Sequence, residues 1–437
     1  MTRLAGRLRD ETPGVGVVVP WTRLMAAGGA AIFAALVVAI VFQPHLTTSL
    51  LPALGLYAFA SLRGESRRWP FSRRAVWVLP SIFALYVALS AAWGSDPHAA
   101  LIAGTLFGIF LVATRIAFLG ALEAEPRAVA GLSGYFVAAV AVGALLLAIT
   151  IYSHGALHKA ICAVFPALAP TDRDFVRLDG NSLEFVGLPY FNRNIALLNL
   201  LLWPALLVLA KRVVDWRTAL FPLGVLGLVG LATFGSEHQT SMLALLASGL
   251  IFLIYRLSPR SARILVVVGW VAALLLVRPA VLTAYEAGLH QASWLQESAR
   301  ARIILWAYTA RQMSKAPILG VGAQTTRADA EAARPPEVPG QAFPQWTGRH
   351  GHNIYLQTWY ELGVIGAGLL LAMGLLILSW LGTLARPGQD YAAAAFVCAS
   401  VMCASSFGMW QAWFIAATML VVPMVTLGLK WYGDPPR

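Results

Sequence analysis

Residues 128–152, AVAGLSGYFVAAVAVGALLLAITIY, decide the fold class. The stretch carries no charged residue and no alternation of apolar and polar positions. A helix rises 1.5 Å per residue, so this run is about 37 Å long, enough to cross a hydrocarbon core about 30 Å thick. Inside a bilayer no water satisfies the backbone, and only helices or closed barrels can span it. An unalternating apolar run reads as the helix. Working outward, comparable runs fall at 24–42, 46–62, 75–93, 99–119, 190–210, 218–234, 241–255, 264–277, 353–380, 392–408 and 412–430. The expectation is all-α, a polytopic transmembrane bundle of about 12 spans, the ninth short and open to extension.

Composition agrees. Apolar residues make up 59% and charged residues 12%, against about 25% charged in soluble domains. The net charge of +12 would suggest nucleic acid on a soluble protein. Here the basic residues sit mainly in short loops, where they report topology instead. The three cysteines show neither a disulfide framework nor metal-ligand spacing. Arg3, Arg7 and Arg9 precede a first span that runs on without a cleavage site, so a cleavable signal peptide is not expected.

With the N-terminus inside, 20 of the 32 Lys and Arg fall on the cytoplasmic side, from Arg3 and Arg63 through Arg127, Lys211 and Arg256 to Arg437. The others cluster in or beside two long outside segments, near 153–193 and 278–352, and long loops translocate largely regardless of charge. An even number of spans returns the C-terminus to the cytoplasm. The chain then divides into spans 1–9 (1–277), a large outside loop (278–352) and three final spans (353–437). In the loop, Glu297 to Lys315 reads as an amphipathic helix, and 334–344 as a Pro-rich lid or binding surface.

Chemistry is sought where the loop enters the tenth span, at Arg349-His350-Gly351-His352-Asn353. A helix N-terminus disfavours imidazolium, which makes His352 a candidate general base. The competing reading makes His352 and Asn353 helix caps. Asn353, Gln357 and Glu361 share one helix face, and an acid at that depth either lines a cavity or pairs with a neighbouring helix. Gly363 and Gly366 are expected to permit close helix packing. On the loop helix Arg302 and Trp306 share a face, while Arg300 points elsewhere; arginine forks suit a pyrophosphate, or the helix lies on anionic headgroups.

Two further clusters stand at span entrances. Phe191-Asn192-Arg193-Asn194 either binds phosphate or sugar or lets Arg193 snorkel. Glu237-His238-Gln239-Thr240 is a dense polar turn that capping alone does not explain. Asp172-Arg173-Asp174 is a weak match to a metal-binding acidic pair, and no metal or other cofactor is expected. His45, His98, His154, His158 and His290 read as interfacial loop residues. No nucleotide-binding motif is found.

His352-Asn353, nine residues, then Gly363-x-x-Gly366 resembles the O-antigen ligase and polymerase superfamily. Arg302-x-x-x-Trp306, Pro317-x-x-Gly320-x-Gly322 and Phe191–Asn194 are similar to its loop helix, the helix exit and the segment before its middle span. The resemblance implies transfer of a glycan from undecaprenyl pyrophosphate to a hydroxyl of lipid A–core, at the periplasmic face of a Gram-negative inner membrane. It implies His352 as base and Arg302 on the leaving pyrophosphate. The chain departs from the family where a Ser-Arg pair often precedes the span near 240. That arginine's role would pass to His238, with Gln239, or to Arg193 or Arg300. Asn353, Asn194, Trp306 and Glu361 would support the site. The alternatives are the polymerase of the same superfamily, a transporter of the lipid-linked glycan, or a scaffold; no internal symmetry favours the transporter.

Overall fold

The computed structural model describes residues 21–62, 75–169, 176–179, 182–332, 346–386 and 388–433. Every apolar run expected from the sequence is helical: α1 Trp21–Val41, α2 Thr47–Ser61, α3 Ala75–Leu89, α4 Pro97–Glu123 and α5 Pro126–Tyr152. After a short α6 (Ala156–Val164) follow α7 Asn192–Ala210, α8 Trp216–Gly235, α9 Gln239–Leu257 and α10 Pro259–Leu275. The loop carries α11 Val277–Glu286, α12 Glu297–Gln312 and α13 Thr325–Ala332, before α14 Ile354–Leu381, α15 Gly388–Ser405 and α16 Ala412–Tyr432. Among the described residues seven helices are long and apolar enough to cross a membrane, and α10 with α11, bent by 68°, forms an eighth candidate. The protein is a multi-pass membrane protein. The figure of twelve spans remains a reading of the sequence.

Local chemistry sets many of the helix starts. Asp96 accepts from Ala99 N at 2.9 Å ahead of Pro97, Ser258 accepts from Ser261 N at 3.4 Å ahead of Pro259, and Asp215 forms a capping box with Thr218. One pair of strands departs from the all-helical expectation. Val176–Asp179 (β1) and Ser182–Val186 (β2) pair antiparallel in the segment before α7.

α7 is the bundle's central helix, with 89% of its apolar window buried. Its polar side chains find partners: Asn199 Nδ2 donates to Thr233 Oγ1 at 2.8 Å and Trp203 Nε1 to Ser248 Oγ at 2.9 Å. α15 presents Ala392 to Ala395, all buried, and packs closely on α9, as small residues allow in a membrane.

α14 is broken at Gly363, whose φ of 61° and ψ of −162° are not helical. This corrects the expectation that Gly363 serves helix packing. An unbroken helix would bond Val364 N to Tyr360 O and Ile365 N to Glu361 O. Instead Val364 N donates to Pro317 O at 2.9 Å and Ile365 N to Ile318 O at 3.4 Å. The vacated carbonyls accept from the loop, Tyr360 O from Val321 N at 3.1 Å and Glu361 O from Gly322 N at 2.8 Å. All four groups are satisfied, as a low-dielectric setting requires. A Cβ on Gly320 or Gly363 would strike the opposing backbone, and both residues have positive φ. The Pro317-x-x-Gly320-x-Gly322 string is therefore the piece that fills the broken helix.

Candidate active site

Asn353, not His352, caps α14: its side chain accepts from Leu356 N at 3.0 Å. His352 sits one residue earlier with φ 49°, in the left-handed region. That backbone turns its ring toward the end of α15, where Nδ1 meets Ser406 O at 2.9 Å. A carbonyl only accepts, so Nδ1 carries the proton and Nε2 of the neutral ring keeps its lone pair. Burial, then the neighbouring His350 ring and the Arg302 charge, push the His352 pKa down to about 3. The His350 ring lies 4.1 Å away, centroid to centroid. Burial and the charges of Arg193, Arg302 and Arg349 lower His350 to about 4. Both rings are neutral at physiological pH.

Arg302 reaches the same turn from α12, donating Nη1 to Ser405 O at 2.9 Å. Among the described residues it is in no ion pair. One turn further on the same face, Trp306 Nε1 donates to Gly351 O at 2.8 Å, so the helix face shared by Arg302 and Trp306 faces the site. Arg193, at the start of α7, is near enough to act on His350 and approaches His45 Nε2 at 3.5 Å. It lines a cavity of about 290 Å³ with Phe42, Gln43, His45 and Tyr190. His238 is buried between Ser241 Oγ (2.7 Å) and Ser406 Oγ (2.8 Å). Burial, then Arg302, lowers its pKa to about 3.

The hub of these contacts is the turn Ser405-Ser406-Phe407-Gly408, which the sequence reading passed over as the end of a span. Ser405 O holds Arg302, Ser406 O holds His352, Ser406 Oγ meets His238, and Ser405 Oγ meets Thr240 at 2.9 Å. A Cβ on Gly408 would lie 2.5 Å from that of His350, so the turn needs glycine there. Paired serines followed by a glycine at the mouth of an apolar helix were the available signal.

Glu361 lies below the cluster and takes the structural option. It accepts from Gln324 N (2.9 Å), Thr326 N (3.2 Å), Gln357 Nε2 (3.0 Å) and Trp410 Nε1, tying the loop to α14. Asn194 donates to Ile40 O at 2.9 Å and joins α7 to α1. Gln239 is exposed beside buried His238. Arg300 has no described bond to the cluster, and its Nε is buried without a partner. His158 is not interfacial: three aromatic rings, Phe42, Tyr190 and Phe191, enclose it completely. His290 stacks on Tyr285 at 4.3 Å. Asp172, Asp174 and the Pro-rich stretch 334–344 lie outside the described residues. Among the described residues no three acidic, His or Cys side chains are grouped to hold a metal.

Residues 223–371, which include His238, Arg302 and His352, match the family described as O-antigen ligase. The chain is similar to a protein of Rickettsia conorii provisionally named a polysaccharide ligase, 25% identical over 246 residues, 55% of this chain and 58% of that protein. A Rickettsia felis protein of the same provisional name is 25% identical over 256 residues, 56% of this chain and 60% of the relative. A third, from Rickettsia prowazekii, is 24% identical over the same shares. The chain thus spans about three fifths of the length of the relatives it matches.

Proposed function

We propose that this chain, whose residues 223–371 match the O-antigen ligase family, transfers a glycan from undecaprenyl pyrophosphate to a hydroxyl of lipid A–core. The observation that carries the reading is His352, a neutral imidazole with its Nε2 lone pair free, held beside Arg302 and against His350, on which Arg193 also acts. The acceptor hydroxyl oxygen attacks C1 of the donor sugar from the face opposite the leaving group, inverting that carbon. Its proton passes to His352 Nε2. The bond from C1 to the pyrophosphate oxygen breaks, and its electron pair leaves with the pyrophosphate. Arg302 and Arg193 meet that growing charge with forked, charge-assisted hydrogen bonds. His350 and His238, both close enough to feel the Arg302 charge, are kept neutral beside it.

The donor's pyrophosphate link supplies the driving force, so neither nucleotide nor metal is required. The bundle sits in the inner membrane of a Gram-negative bacterium, with termini cytoplasmic and the 278–352 loop roofing the site on the periplasmic face. Both lipid substrates enter sideways from the outer leaflet. Arg300 and Gln239 take no part in donor binding.

The test is transfer in vitro by purified protein, from undecaprenyl-pyrophosphate O-antigen to lipid A–core, with chelator and no nucleotide. General-base catalysis is worth about 10²–10⁴ in rate, so His352→Gln, shown folded by its melting curve, is expected to lose that much. Retained transfer in the variant refutes the role of His352. Chain growth on carrier-linked repeats, without transfer to core, moves the protein to the polymerase.

A further inference from the structure

The end of the bundle opposite His352 holds a second polar centre. α9 begins beside His238 and carries Arg256 in its last turn; α15 ends at Ser405 and carries Asp390 in its first turn. Eighteen steps along α9 place the two centres about 27 Å apart. Asp390 is fully buried, and two arginines converge on its Oδ2, Arg256 Nε at 3.2 Å and Arg386 Nη2 at 3.1 Å. Arg386 also donates to Tyr255 O at 2.8 Å. The two arginine side chains stay 47% and 44% exposed, so each keeps donors that the carboxylate does not use.

Those exposed faces border a cavity of about 560 Å³, lined also by Val213, Pro222, Tyr391 and Tyr432. One carboxylate against two guanidiniums leaves the centre with a positive charge. Lys211 and Arg212 add to it at the rim, both over the Trp431 ring at 4.5 and 5.8 Å. Beside the cavity, α8 turns Leu220, Phe221 and Leu223 outward, 56% to 70% exposed. A cationic recess between helix ends, next to an apolar outer face, matches both parts of a lipid.

We infer that the Arg256–Arg386 recess binds the phosphate of an anionic glycerophospholipid whose acyl chains lie along α8. The guanidinium donors left over from Asp390 take the phosphodiester oxygens, and basic recesses between membrane helices suit such headgroups. The adjoining apolar face selects the lipid over free phosphate.

Native mass spectrometry of the delipidated full chain in a neutral detergent tests this. The probes are phosphatidylglycerol, phosphatidylcholine and inorganic phosphate, each also scored by melting temperature. Phosphatidylglycerol is expected to be retained and to raise the melting temperature, the other two not. Each basic residue near a headgroup is worth about fivefold in affinity, so Arg256→Gln is expected to lose that factor. Val213→Trp fills the recess and leaves both arginines on Asp390; it is expected to lose retention too, and it stands as the test if Arg256→Gln does not fold. Equal retention of phosphatidylcholine, equal stabilisation by phosphate alone, or unchanged phosphatidylglycerol retention in Val213→Trp overturns the inference.

Discussion

Replacing Glu361 by glutamine keeps the side chain's size and removes half of its accepting capacity. Four donors converge on the carboxylate: Gln324 N and Trp410 Nε1 at Oε2, Thr326 N and Gln357 Nε2 at Oε1. An amide has one accepting oxygen, so either orientation aims an NH₂ group at two of these donors. A buried donor left unpaired costs about 1–3 kcal/mol, which puts the loss at about 2–6 kcal/mol. Even at about 0.6 kcal/mol, the mean for polar contacts between membrane helices, two lost bonds cost about 1 kcal/mol. The damage falls on the joint between the loop and α14, because two of the donors are loop backbone amides. Glu361→Gln is therefore expected to melt several degrees lower in detergent and to be cut faster by trypsin at Arg327. The direct bonds of His352 and Arg302 are untouched, so measurable transfer should survive. A variant that melts with the wild type and resists trypsin equally would refute the anchoring role.

Three further outcomes concern the buried histidines and Gly408. His158, His238, His350 and His352 are held at about 4, 3, 4 and 3, against an ordinary 6.5. The unfolded chain binds more protons than the folded one between those values, so stability is complete above about pH 6.5 and falls as pH drops toward 4; melting curves across that window check the sign. For the same reason the transfer rate should show no titration near 6.5 from His352, and a limb there would mean the ring is not shielded. Gly408→Ala sets a methyl against His350; overpacking of this kind costs about 1–3 kcal/mol, and transfer is expected to fall about tenfold or more if that strain is relieved by moving the two rings.

Much of the helix order was legible because membrane helices are written as uninterrupted apolar runs, and their starts as Asp-Pro or Ser-Pro pairs. Arg302, His352 and Trp306 were legible as a set because polar side chains beside such runs are few. Other features depend on pairs far apart in the chain. Gly363 reads as a packing glycine until Pro317 and Ile318 are seen to take its neighbours' hydrogen bonds. Ser406 looks like helix interior, yet its carbonyl fixes the tautomer of a histidine 54 residues away. His158 reads as a loop residue because its aromatic enclosure comes from both sides of it in the chain. The pair β1 and β2 before α7 was written in the sequence as short alternating runs, a signal hidden between stronger helical ones.

The break in α14 also bears on biosynthesis. Residues 317–322 leave the ribosome ahead of the helix they complete, so the complementary backbone is already translated when Ile354–Leu381 enters the bilayer. A segment inserted with two amides and two carbonyls unpaired would be heavily penalised. In the folded chain the loop seated at Gly363 pairs these four groups one for one, so satisfying them before that docking requires an unbroken helix. A nascent chain halted before Tyr360 would then hold a loop with no seat to occupy.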